Sequence, residues 1–95
     1  MDDQQAPELT FTAFVISLAS TAAIHFGDLP DPQSGAAVEP NLEAAAQMID
    51  ILVLLEEKTR GNLTAEERQL LEQVLYELRM RFVEAKGSEK RIIVP

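Results

Sequence analysis

Apolar and polar positions along the chain divide it into three segments with helical period and the stretches that separate them. The first segment, Phe11 to Phe26, reads FTAFVISLASTAAIHF and carries no charged residue when His25 is neutral. On a 3.6-residue period Phe11, Phe14, Val15, Leu18, Ala22 and Phe26 share one bulky stripe. Ala13, Ile16, Ser20, Ala23 and Ile24 share a second, mostly small stripe roughly opposite. A helix that is apolar all round must be covered on most sides. The spacing predicts a helix over residues 10–26. Thr10 is its N-cap, and Gly27 closes it in a left-handed conformation.

The second segment predicts a helix over residues 42–59, capped by Asn41 after Pro40. Leu42, Ala45, Ile49, Leu52 and Val53 form its seam, and Ala44, Met48, Ile51 and Leu55 widen that seam. An arc this wide contacts two neighbours. Leu54 falls on the polar side with no partner apparent. Arg60-Gly61-Asn62-Leu63 is a turn, and Thr64 with Glu67 is a capping box that starts the third helix. A turn this short forces an antiparallel hairpin. The third helix spans residues 65–86 and stops at Gly87. Leu71, Val74, Leu75, Leu78, Phe82 and Ala85 are its core stripe. Tyr76, Met80 and Val83 make a smaller apolar row on the far side, a candidate surface for a partner protein. Glu77 and Arg81 stand four apart in the favourable order for a solvent-side pair.

Residues 1–9 are read as a disordered acidic lead-in and residues 87–95 as a flexible tail, in which Lys90 and Arg91 precede Ile92-Ile93-Val94. The loop over residues 27–40 holds three prolines and two glycines and is long for a small domain. Leu29 is placed to pin it to the core.

Composition narrows what such a fold does. The 95 residues carry a net charge of −8 and no cysteine. That acidity argues against nucleic acid, which needs a basic face, and against docking on anionic lipid. Without cysteine there is no disulfide framework, thiolate metal site or thiol nucleophile. A reducing cytoplasm is the default compartment. The uncharged run Leu9–Gly27 approaches the length of a membrane span. It is interrupted by Thr10, Thr12, Ser17, Ser20, Thr21 and His25 and flanked by Glu8 and Asp28 rather than by basic anchors. The N-terminal MDDQQAPE is acidic where a secretory leader is basic.

The runs QMIDILVLLEEKTRGNLTAEERQLLEQVLYELRMRFVE and FTAFVISLASTAAIHFGDLPDPQSG resemble the bacterial family called domain of unknown function 1844, over about Leu9 to Glu84. The most specific pieces are Ile49-Asp50 with Leu55-Glu56-Glu57-Lys58-Thr59, Gly61-Asn62-Leu63-Thr64, and Leu75-Tyr76-Glu77-Leu78-Arg79. The resemblance implies a short bacterial protein and brings no catalytic residues with it.

Candidate chemistry is sparse. His25, Asp28 and Asp31 stand at three-residue steps and are weak candidates for a divalent metal, though the spacing matches no established motif. The bland reading is a helix-end imidazole beside acidic turn residues. Glu56-Glu57 and Glu66-Glu67 read as a solvated face, because bundle di-metal sites need Glu-x-x-His on facing helices. Phosphate loops and nucleophile triads are absent, and no cofactor is implied. A helix-turn-helix reading fails because Ala65-Glu66-Glu67 would point acid at the duplex.

The sequence therefore predicts an all-α, three-helix domain. An apolar first helix packs on an antiparallel hairpin, and oligomerisation completes its cover, with Ala13, Ile16, Ser20, Ala23 and Ile24 as candidate interface residues. The functional expectation is a non-enzymatic, self-associating interaction or scaffold module, homodimeric or larger, that can also present a surface to another protein. The alternatives are a membrane-associated accessory protein using the first helix and, behind it, a small metal protein or enzyme using His25.

Overall fold

The computed structural model describes residues 8–93, apart from the side chains of 89–93. Three helices appear in order: α1 (Phe11–His25), α2 (Leu42–Thr59) and α3 (Ala65–Ile93). Among the described residues there is no strand. The disordered lead-in expected over residues 1–9 falls outside the described residues except for Glu8 and Leu9, which are exposed.

α1 forms where the uncharged run begins and ends on its predicted signals. The Thr10 hydroxyl accepts from the Ala13 amide at 3.0 Å. At the other end Gly27, at φ 83°, donates to the Ile24 carbonyl, and Asp28 donates to the Ala23 carbonyl, both at 2.9 Å. This paired closure satisfies two otherwise orphaned carbonyls and needs a left-handed residue at Gly27. Two hydroxyls inside α1 are absorbed locally: Ser17 donates to the Phe14 carbonyl at 2.8 Å and Thr21 to the Ser17 carbonyl at 3.0 Å.

α2 packs against both neighbours, as its wide apolar arc requires. Asn41 caps it by accepting from the Ala44 amide at 3.1 Å. The Asn41 amide itself donates to the His25 carbonyl at 2.7 Å. That bond fastens the start of α2 to the end of α1, so the two helices run antiparallel. The capping box then starts α3: the Thr64 amide donates to Glu67 Oε1 at 2.8 Å, and the Glu67 amide donates to Thr64 Oγ1 at 3.1 Å. α3 runs antiparallel to α2 and parallel to α1.

The core is one cluster with contributions from each helix. It contains Val15, Ala22 and Phe26 at α1, Ala45, Met48 and Leu52 on α2, and Leu71, Val74, Leu75 and Leu78 on α3. Phe11 and Leu18 pack half-buried against it, as do Ile49, Val53 and Phe82.

Four local expectations are corrected. α3 does not stop at Gly87 but continues to Ile93, so the expected tail is helical through that residue. Gly87 is not among the glycines at positive φ; a glycine inside a helix costs only about 1 kcal/mol, and this one is not used as a terminator. Leu29 does not pin the loop, since it is 44% exposed. The loop is held instead by its own turn, in which Asp31 Oδ1 accepts from the Gln33 amide at 2.8 Å and the Asp31 carbonyl from the Gly35 amide at 2.7 Å. Glu77 does not pair with Arg81: it accepts from Gln73 Nε2 at 2.6 Å, and Arg81 turns toward α1. Finally, Phe14 of the bulky stripe of α1 is not enclosed by the hairpin but is 39% exposed.

Candidate functional surfaces

A long-range polar contact between side chains sits where α1, the loop and α3 meet. The closure at Gly27 aims the Asp28 carboxylate at α3. Arg81 grips it with both arms, Nε to Oδ2 at 2.8 Å and Nη2 to Oδ1 at 2.7 Å. The same guanidinium lies 5.3 Å from the centre of the Phe26 ring and 3.8 Å from Glu84 Oε1. A planar fork on a carboxylate, stacked on an aromatic ring, is arginine's particular geometry, and lysine does not reproduce it. Hydrogen bonding from Arg81 holds the Asp28 carboxyl below the usual carboxylate range, against a smaller opposing effect of burial. The bond to Asp28 likewise raises the Arg81 guanidinium.

This contact makes stability depend on pH in a defined direction. Because the folded-state pKa of Asp28 is lowered, its contribution is fully present above the unfolded value near 3.8 and is lost as pH falls through the folded value. The side chains are 35% and 41% exposed, so solvent screening limits the pair to about 1 kcal/mol. Asp28→Asn is expected to lower the urea midpoint at pH 7, by a margin that narrows as the pH is brought down below 3.8. A midpoint difference that does not narrow on acidification would show that Asp28 acts other than through its charge.

The weak metal candidates are not brought together as a site. Asp28 is held by Arg81, the Asp31 carboxylate closes its own turn by accepting from the Gln33 and Ser34 amides, and His25 is half-buried at the helix end. Among the described residues no group of three or more His, Cys, Asp or Glu side chains is arranged to hold a metal ion. Likewise, among them no helix is long and apolar enough to cross a membrane.

The apolar candidates fare differently. On α1, Ala13, Ile16 and Ser20 are exposed, whereas Ala23 and Ile24 are half-buried. On α3, Tyr76, Met80 and Val83 are 63%, 49% and 65% exposed. Helical period alone puts Val83 in a row on the back of α3. In the fold it also borders a groove of about 290 Å³ between α2 and α3, lined by Ala46, Ile49, Asp50, Arg79, Phe82 and Val83. The placing of Asp50 and Arg79 across that groove follows from the hairpin register, which no helical wheel displays.

The sequence model of the domain of unknown function DUF1844 matches residues 8–84, from just before α1 to the last turns of α3 alongside it. The chain belongs to the DUF1844 family. No curated protein and no solved structure matches it. The DUF1844 match takes in α1, α2 and most of α3, with the Asp28–Arg81 contact and the α2–α3 groove, and it ends before Gly87. It assigns the family without assigning an activity.

Proposed function

We propose that this DUF1844 chain is a non-enzymatic, self-associating helical interaction module of the cytoplasm. The observation that supports this is how little of its apolar surface one copy buries. Among the described residues eight large apolar side chains are buried: Val15, Phe26, Met48, Leu52, Leu71, Val74, Leu75 and Leu78. Nine are exposed: Leu9, Phe14, Ile16, Leu29, Ile51, Leu54, Tyr76, Met80 and Val83. Single exposed apolar residues are ordinary, but Tyr76, Met80 and Val83 follow one another at helical spacing along α3, and a row of this kind is a candidate contact surface.

The alternative of a membrane accessory draws less support, because most of the bulky stripe of α1 is spent on the core. Light scattering across a concentration series in detergent-free buffer tests the proposal. The expected result is a mass of 21 kDa or more, at least twice the 10.5 kDa chain. A mass of 10.5 kDa at every concentration overturns self-association.

A further inference from the structure

Resting on the self-association reading, we propose that the α2–α3 groove is the surface on which a second copy of the chain docks, by a two-fold axis that runs along the groove. The floor of the groove is apolar, built from Ala46 and Ile49 of α2 and Phe82 and Val83 of α3, and one charge stands on each wall, Asp50 on α2 and Arg79 on α3. Both charged residues are exposed, and neither makes an ion pair with another described residue. Their charges are therefore available to a partner.

The disposition of those charges selects the symmetry. A two-fold interface is isologous, so whatever residue i meets in the partner, the partner's copy must meet in return. Asp50 and Arg79 lie on opposite walls of one groove in an antiparallel hairpin, at nearly the same height. An axis along the groove preserves height and lays the partner's α2 over this copy's α3. Asp50 then meets the partner's Arg79, and Arg79 meets the partner's Asp50. An axis across the groove lays like helix on like helix and sets Asp50 against Asp50 and Arg79 against Arg79, which electrostatics penalises. The favoured axis builds an antiparallel four-helix arrangement of two hairpins with α1 on the outside, a geometry in which helices of this length pack readily. An 18-residue helix is about 27 Å long and about 10 Å across, so the hairpin presents a face of the scale that a standard interface of roughly 800 Å² per partner requires.

The test is charge reversal on the full chain, read by light scattering and by sedimentation over a concentration series, with circular dichroism to confirm that each variant is helical. Asp50→Arg alone and Arg79→Asp alone each place two like-charge contacts in the dimer, and each is expected to raise its dissociation constant by at least about tenfold. An equimolar mixture of the two variants restores both opposite-charge pairs in a mixed dimer and is expected to return the dissociation constant to within about threefold of the parent's. That rescue supports the proposal, because damage to the fold of either variant would not be repaired by mixing. A dimeric parent whose mass neither reversal changes overturns the groove while leaving self-association standing. Loss of the dimer in Ile16→Asp would then place the interface on α1. Dimers that both variants lose and mixing fails to restore overturn the reciprocal pairing. A monomeric parent removes both the interface and the reading it rests on.

Discussion

Leu52→Ala is expected to destabilise the domain by about 2–5 kcal/mol, which removes much of the stability a chain of this size possesses. Leu52 is fully buried and is one of the three largest side chains with almost no exposure, with Leu71 and Val15. It lies near the middle of α2, the helix that touches both others, so the space it vacates is bounded on several sides and collapses poorly. Both the lost transfer energy and the residual cavity then count against the variant. Urea denaturation at one fixed protein concentration measures the effect, since self-association would add a concentration-dependent contribution to stability. The comparison is Leu54→Ala, two residues away on the same helix and 54% exposed, for which a change within about 0.5 kcal/mol is expected. Equal losses at the two positions would mean that α2 is not the central element of the core.

Part of that contrast is legible in the sequence. The seam of α2 places Leu52 inside and leaves Leu54 on the polar side, because helical period alone separates them. The capping box at Thr64 and Glu67, the cap at Thr10 and the glycine stop at Gly27 are likewise local chemistry, and the fold realises each of them. What the sequence does not disclose depends on register between distant segments. Arg81 has a carboxylate four residues away, yet it binds Asp28, 53 positions distant. The turn at Gly27 delivers a carboxylate to both arms of the guanidinium, while Glu77 offers only a flexible helix-surface partner worth a few tenths of a kcal/mol. The α2–α3 groove is hidden in the same way. Asp50 belongs to the polar face of its helix and Arg79 lies off the core stripe of its own, and only the pairing of the two helices sets them across from each other. Gly87 misleads in the opposite sense: glycine after lysine reads as a helix end, but glycine permits a left-handed residue without demanding one.

Gly27→Ala and Gly61→Ala are expected to separate backbone strain from crowding. Gly27 closes α1 and Gly61 lies in the turn after α2, at nearly the same φ, 83° and 81°, so an added Cβ carries a similar left-handed penalty at each, about 1–2 kcal/mol. Their surroundings differ. Around Gly61 a Cβ meets nothing within 4 Å, whereas at Gly27 it meets Pro40 Cγ at 3.1 Å and the Val38 carbonyl oxygen at 3.2 Å. Those atoms belong to the part of the loop that returns the chain to α2 and fastens Asn41 to the His25 carbonyl. The loop cannot retreat from Gly27 without loosening the junction of α1 with α2. The Gly27 variant is therefore expected to lose about 1–2 kcal/mol more than the Gly61 variant in urea denaturation, the cost of overpacking a site backed by backbone. A second readout follows from the neighbouring residue. Displacing Gly27 moves Asp28 off the Arg81 fork, so the part of stability lost on acidification should shrink in Gly27→Ala and persist in Gly61→Ala. Equal losses at pH 7 with equal acid dependence would show that the loop yields freely, and that the corner of α1 is held by α3 rather than by Pro40 and Val38.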